Sequence, residues 1–402
     1  VTGSTQSQLG LTTLRPPIEP ITLGSLAGPG LIPIKRSPLH SKHLELGAKM
    51  VEVGGWIRPY SYIEPLTEVS AVRNNVGMID VSTLGKLDVR GPDAAKLLDF
   101  IYVNKMSNLK IGKVRYGVMC LENGTVLDDG TVARLSDDRY FITTTTTNVE
   151  MIESWFKWWL ASDMNLDVAI ANITSELAAI NIAGPKARNI LQSLTTTDIN
   201  TNEFPYMTAK ESLIADIPAI MMRIGFVGEV GWEIHLPAIY SEYLWEILYS
   251  NNVQAFGVEA QRILRLEKGH VIVNQDTDSL TSPLEIGLSH IVRSTKSDYV
   301  GKNQIHQQYN RGIKRKLVGF TMHEGLPTPK DGSAIVHEGA PVGRVTSARR
   351  SPINEKPFGL AILPYNLCIE GQEVFIVINE DLYPGSVSLE PTYDPKGSRL
   401  RT

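Results

Sequence analysis

Hydrophobic positions along the chain change period repeatedly. Short runs of alternating apolar and polar residues, which mark half-buried strands, give way to segments with apolar residues three and four apart, which mark amphipathic helices. This interleaving predicts an α+β protein rather than a bundle or a sandwich. The stretch Leu87-Asp88-Val89-Arg90-Gly91-Pro92-Asp93-Ala94-Ala95-Lys96-Leu97-Leu98 repeats the pattern of Ile180-Asn181-Ile182-Ala183-Gly184-Pro185-Lys186-Ala187-Arg188-Asn189-Ile190-Leu191. In each, a strand runs through Gly-Pro into an amphipathic helix whose first turn tolerates proline, because the missing N–H has no intrahelical partner there. Two related strand-turn-helix units are expected, although Gly-Pro helix starts also recur without relation. Trp155, Trp158 and Trp159 fall at helical spacing between Val149 and Ala161 and read as core packing. From Lys314 onward, short β segments at 317–322, 343–347, 359–363 and 373–377 are broken by glycine, which predicts a separate C-terminal β-barrel or sandwich.

Length and composition narrow the class. With 402 residues, 42% of them hydrophobic, the chain is long enough for two or three domains around a sizeable core. Its 39 Lys and Arg against 43 Asp and Glu leave no broad basic field, so neither nucleic acid nor an anionic membrane is an expected partner. Cys120 and Cys368 are far apart and form no CxxC pair, which points away from a disulfide framework or structural zinc and toward a reducing cytoplasm. No apolar run reaches the ~18 residues needed to cross a bilayer. The start, Val1 and then Leu14-Arg15-Pro16-Pro17-Ile18-Glu19-Pro20 and Gly28-Pro29-Gly30, reads as an extended connector of the kind that follows another part of a larger polypeptide.

Three segments carry candidate chemistry. In the run from Tyr116 to Gly130, Asn123-Gly124 flanked by alternating apolar residues signals a hairpin, because both residues accept φ > 0. With a two-residue loop, Glu122 faces Thr125, Tyr116 faces Thr131, and Asp129 shares the face of Tyr116 as its diagonal neighbour while Asp128 points the other way. A carboxylate beside a phenol can accept a proton or hold a cation; two aspartates capping a strand end in solvent account for the same residues. The second segment, Phe226-Val227-Gly228-Glu229-Val230-Gly231-Trp232-Glu233, predicts a tight turn into a strand. A buried glutamate there could pair with adjacent N–H and NH2 donors of a pterin or purine ring, and an exposed strand glutamate is the plain alternative. In the third, Arg262 and Arg265 lie three apart on a predicted helix, able to hold carboxylates or simply to face solvent. There is no GxGxxG fingerprint, GxSxG elbow, Walker lysine or metal-ligand histidine spacing.

Taken together, the chain from about Ser37 onward resembles the glycine-cleavage T-protein (aminomethyltransferase) family. The resemblance rests on Ser37-Pro38-Leu39-His40, Gly55-Trp56-Ile57-Arg58-Pro59, Ala71-Val72-Arg73, Gly77-Met78-Ile79-Asp80-Val81-Ser82, Leu127-Asp128-Asp129, Gly228-Glu229-Val230-Gly231-Trp232-Glu233, Leu264-Arg265-Leu266-Glu267, Ser282-Pro283-Leu284-Glu285 and Val345-Thr346-Ser347. The proline connector, Ser82-Thr83-Leu84-Gly85-Lys86, the threonines 143–147, Gln275-Asp276-Thr277-Asp278 and Tyr393-Asp394-Pro395-Lys396-Gly397 are similar to the C-terminal folate-binding half of sarcosine oxidase alpha subunits.

The resemblance implies the three-domain T-protein fold. Residues 1–36 would be a linker following a missing N-terminal half, 37–310 a folate-binding core of two interleaved α+β domains, and 311–402 a C-terminal β-barrel. It implies Asp129 and Tyr116 as catalytic residues and Glu233, Phe226 and Arg265 as tetrahydrofolate-binding ones. Phe226 replaces a tyrosine and Gln261 an arginine usual in the T-protein branch. The implied role is to accept the one-carbon unit, a methylene iminium released from sarcosine at a flavin-bearing partner subunit, and to form 5,10-methylenetetrahydrofolate. FAD, FMN and NAD would then sit on the missing half or on partners. A stand-alone folate-dependent aminomethyl- or methyltransferase, or a non-catalytic folate-binding scaffold, are the other readings.

Overall fold

The computed structural model describes residues 34–402 apart from 163, 294 and 354. The proline-bearing connector lies outside the described residues, but regular pairing begins within the segment read as a linker: Lys35–Arg36 runs parallel to Trp56 and Ile57. Together with Lys49–Val53 and Trp56–Ser61 it makes a small three-stranded sheet.

Two larger sheets follow from the alternating segments. One has six strands in the order Thr208–Ile214, Ile217–Arg223, Gly231–Pro237, Leu177–Ala183, Gly77–Asp80 and Gln254–Ala255. The other has five, in the order Val114–Cys120, Val126–Arg134, Arg139–Thr144, Gly85–Arg90 and Ala169–Asn172. Helices Ala187–Leu194 and Ser241–Ser250 supply Leu191, Leu244, Trp245 and Leu248 to one face of the first, against Met221, Trp232 and Ile234. Helices Ala94–Ile101 and Val149–Ala161 cover one face of the second with Leu97, Leu98, Ile152 and Phe156. Removing such apolar surface from water is the main term holding the layers together.

The two Gly-Pro units do form the same strand-turn-helix piece. Gly91 and Gly184 hold φ of +139° and +131°, and a Cβ on either would lie under 3 Å from backbone oxygen, that of Asp167 or Asn75. The prolines fall in the turn just before each helix rather than in its first turn, since the helices start at Ala94 and Ala187. The tryptophans divide differently from the expectation: Trp155 and Trp159 pack against the core, whereas Trp158 is 55% exposed.

The C-terminal segments close into a six-stranded barrel, Arg315–Met322, Pro357–Pro364, Ala340–Arg350, Ala334–His337, Glu373–Ile378 and Asp381–Ser388. Two of these, Ala334–His337 and Asp381–Ser388, were not legible as strands. Ala334–His337 is only four residues long between turns at Gly332 and Gly339, and Asp381–Ser388 contains Pro384 and Gly385, which weaken the strand pattern.

A buried ionic knot ties these layers to the chain end. Arg73, from helix Pro65–Asn74, donates to Glu267 Oε2 at 2.7 and 3.0 Å, to Glu229 Oε1 at 3.2 Å and to the carbonyls of Val227 and Leu264. Tyr393 lays its ring on the same guanidinium at 3.8 Å and donates its hydroxyl to Glu229. Both glutamate side chains are 2% exposed, so removing the cation would strand two buried charges. Arg73→Met is expected to lower unfolding free energy by about 3–5 kcal/mol, whereas Arg399→Met, whose side chain is 50% exposed, should cost less than about 1 kcal/mol; denaturant midpoints of both variants check this.

Candidate active site

The hairpin that carries the two aspartates reaches the expected register by an unexpected route. Leu121 N–H donates to Thr125 O and Gly124 N–H to Leu121 O, so the loop holds three residues, Glu122 to Gly124, not two. Gly124 alone takes positive φ, +80°; Asn123 instead accepts from Thr125 N–H and Oγ1. An extra loop residue would shift every pair by one, but Leu127 is bulged: Cys120 pairs with Val126 while Met119 pairs with Asp128. The bulge cancels the loop, and Tyr116 stands opposite Thr131 as counted.

Asp129 therefore shares a face with Tyr116, and the Tyr116 hydroxyl donates to Asp129 Oδ2 at 2.7 Å. Thr145 Oγ1 lies 3.4 Å from Asp129 Oδ1. Asp129 keeps some accessible surface although protein atoms crowd around it, the condition of a group at the floor of a depression. Asp128, on the opposite face, is fully buried and accepts from Asn148 Nδ2 at 3.1 Å and Thr145 N–H at 3.2 Å. Neither aspartate is a solvent-facing strand cap. Burial raises both carboxyls above the ordinary range; the Asp129 charge raises Asp128 further, and the bonds from Tyr116 and Thr145 oppose the rise at Asp129. Burial and the Asp129 charge push the Tyr116 phenol well up, so it stays protonated and remains the donor.

Side-chain alternation carries this face across the sheet. Thr131 and Thr143 exchange a hydroxyl contact of 2.7 Å, and Lys86 pairs with Thr143 on the next strand. Phe141, on the same face, meets His235 of the six-stranded sheet with ring centroids 4.8 Å apart. Val114, Ala133 and Phe141 join Ile220 and Met222 in one apolar cluster, so the aspartate-bearing face looks toward the face that holds Glu233.

Glu233 sits on strand Gly231–Pro237 between Asn181 and Met222 and is 8% exposed, not the exposed strand residue its sequence allows. His235, two residues on and so on the same face, places Nε2 2.8 Å from Glu233 Oε1. Burial lowers His235, with Glu233 opposing, so the ring is neutral at pH 7 and Nε2–H donates; buried Nδ1 has no partner among the described residues. Lys86, with no exposed surface, donates to the carbonyls of Ser82 (2.8 Å) and Leu84 (3.0 Å). Burial lowers its ammonium to about 8, and Glu233 and Asp80 oppose that shift. The i, i+2 spacing of Glu233 and His235 and a lysine inside an apolar strand were the signals available in sequence for both.

The other two expected ligand residues have partners within the protein. Arg265 is 1% exposed and clamped: Nη1 donates to Asp276 at 2.6 Å and His270 O at 2.8 Å, Nη2 to Ser347 at 2.6 Å. It joins helix Val258–Glu267 to the 270–278 loop and the barrel, and holds a carboxylate of the protein itself. Phe226 is 36% exposed and stacks on His270 at 5.7 Å. A cavity of about 140 Å³ lined by Leu266, Val271, Phe320 and Leu360 lies between that helix and the barrel.

Comparison with known proteins agrees with this architecture. Residues 39–296 match the model of the GCVT N-terminal domain and 315–394 that of the glycine cleavage T-protein C-terminal barrel domain. The sarcosine oxidase subunit alpha of Corynebacterium sp. (strain P-1) is 35% identical over 98% of this chain and 43% of its own length, so the chain spans less than half of that relative. The aminomethyltransferase of Thermotoga maritima is 35% identical over 89% of this chain and 100% of its own. The crystal structure of aminomethyltransferase T from Bartonella henselae superposes with a TM-score of 0.83 at 25% identity, covering 90% of this chain and 99% of that one. With both domain models matched in order and relatives aligned along nearly the whole chain, the protein belongs to the glycine-cleavage T-protein (aminomethyltransferase) family.

Proposed function

We propose that the hollow between the two sheets binds tetrahydrofolate as a one-carbon acceptor and that Asp129 serves the transfer. The observation that carries this reading is the Tyr116–Asp129 pair on one wall, 2.7 Å apart, facing a wall that holds Glu233 with His235. The residues fit such an acceptor. A buried carboxylate with one oxygen engaged by His235 can take the paired N–H and NH2 donors of a pterin edge. Bound tetrahydrofolate supplies the nucleophilic nitrogen that attacks the incoming carbon.

The protein's own part is positioning and proton transfer. Glu233, oriented by His235, holds the ring so that the attacking nitrogen reaches the site in a reactive pose. Asp129 carries charge where a cationic methylene iminium arrives, and takes the proton lost from the nitrogen as the new C–N bond forms; a positioned base of this kind gives about 10²- to 10⁴-fold. Tyr116 holds the carboxylate aligned. The donor is proposed to be the iminium left when sarcosine is oxidised at a flavin on a partner subunit, giving 5,10-methylenetetrahydrofolate and glycine. The similarity to sarcosine oxidase alpha subunits along almost the whole chain supports this donor. Full-length alignment of the Thermotoga aminomethyltransferase supports a stand-alone transferase instead; flavin-bearing chains copurifying with this protein decide between the two. The proposed division, a core at 37–310 followed by a barrel at 311–402, is consistent with the two matched models.

Asp129→Asn is expected to bind tetrahydrofolate as the wild type does in calorimetry and to form methylenetetrahydrofolate from formaldehyde about 10²- to 10⁴-fold more slowly; unchanged turnover would remove Asp129 from the mechanism. A base whose proton affinity is raised by burial is active only when deprotonated. The wild-type rate should therefore fall as pH drops through a value above the ordinary ~3.9 of aspartate, and that acid limb should be missing from the residual activity of Asp129→Asn. A limb at the ordinary value would place the titrating carboxyl outside this hollow.

A further inference from the structure

After its last barrel strand the chain returns to the core. Residues 395–402 lie beyond the matched barrel domain, which ends at 394. Asp394 accepts from the amides of Ser398 and Arg399 at 3.0 and 3.1 Å, the first two of a helix of only four residues, Ser398–Arg401. A helix that short does not persist by itself, because fixing its first turn costs more than its few hydrogen bonds return. Its order therefore reports the contacts that hold it.

Those contacts converge on the turn from Gly225 to Glu229. Leu400 is 7% exposed and sits where Gly225 lacks a side chain: a Cβ there would lie 2.8 Å from Leu400 Cδ2. Arg399 reaches Glu229 Oε2 at 3.5 Å, and the Tyr393 hydroxyl donates to Glu229 Oε1. Lys268, whose stem would lie 3.1 Å from a Cβ on Gly228, donates to Asp394 Oδ2 at 3.3 Å. Past the helix, Arg188 and Arg223 both donate to the carbonyl of Thr402, the former at 2.6 Å. Arg223 is fully buried and also donates to Phe204 O at 2.7 Å; the two guanidiniums lie 5.2 and 5.6 Å from the ring centroid of Trp232. A cavity of about 340 Å³ lined by Glu390, Pro391, Asp394, Pro395, Lys396 and Ser398 leaves this strap held at points rather than packed along its length.

The turn, for its part, makes no backbone-to-backbone hydrogen bond among the described residues. Side chains hold it: Arg73 at the Val227 carbonyl, His270 at the Phe226 carbonyl, and the strap. It leads into strand Gly231–Pro237, where Glu233 is two residues in, about 7 Å from Gly231.

We infer that residues 393–402 form a positioning latch: Leu400, with the Thr402 carbonyl anchored by Arg188 and Arg223, sets the pose of the Phe226 turn and through it the wall that carries Glu233. A segment fixed by side chains alone takes its pose from what packs on it, and it opens when that packing is lost. The inference rests on the folate reading above and adds to it a support outside the matched domains.

Hydrogen exchange read by mass spectrometry, with calorimetric titration of tetrahydrofolate, tests it in Leu400→Asp and the size-conserving Leu400→Met. Leu400→Asp should speed amide exchange in 225–231 as well as in 395–402, leave the hairpin at 114–134 as protected as in the wild type, and weaken tetrahydrofolate about 10- to 100-fold. Leu400→Met should match the wild type throughout. In the wild type, bound tetrahydrofolate should in return slow exchange in 395–402, because coupling between two sites acts in both directions. A strap that opens while the turn and the affinity stay unchanged overturns the latch, and so does a loss of protection that spreads to the hairpin, which marks general destabilisation. If the wild type does not bind tetrahydrofolate, the folate reading falls and exchange alone decides the latch: the turn opening together with the strap keeps it, and the strap opening by itself removes it.

Discussion

Everything in the candidate site depends on the strand register of one hairpin. Side chains alternate along a strand, so a slip of one residue would exchange Asp129 for Asp128 on the face that meets the six-stranded sheet. Two irregularities determine the outcome together. The three-residue loop closed by Gly124 moves the register by one, and the bulged Leu127 moves it back. Either alone would carry Tyr116 and Asp129 to different faces and leave a phenol and a carboxylate without each other.

Consecutive aspartates on opposite faces also explain how two acids can be adjacent in sequence yet differ in role. Asp128 is enclosed and bonded by Asn148 and the Thr145 amide, and Asn148 in turn accepts from Asn274 at 3.3 Å, so this carboxylate braces the helix start and the 270–278 loop around the site. Asp129 is braced only from one side, by Tyr116 and Thr145, and keeps accessible surface. Across the hollow the acids and bases are again asymmetric. Lys86 is held by two carbonyls, His235 is held neutral by burial, and Glu233 is left with an oxygen that no group among the described residues engages.

Much of the site was legible because strands are regular. Counting by two from Asn123-Gly124 selects Asp129 over Asp128, although the register holds through the compensating bulge at Leu127 and not through a two-residue loop. Glycine followed by proline marked two chain reversals that proved to need φ values of +139° and +131°. Arg265 shows where such reading stops. Its helical spacing from Arg262 is compatible with a ligand or with solvent, and Asp276, which claims it, approaches from a loop eleven residues on. Glu229 was equally open, and it belongs to the Arg73 knot, whose members span positions 73 to 399.

The amino-acid sequence by itself determined the α+β class, the existence of a C-terminal β domain, the hairpin face shared by Tyr116 and Asp129, and the two strand-turn-helix units, because each follows from local periodicity or from the backbone demands of glycine and proline. Only the tertiary structure decided that the two sheets present Asp129 and Glu233 to one another, that His235 and Lys86 join them, and that Arg265 is a clamp. Burial and ionic partnership depend on which distant segments meet, and no local pattern records that.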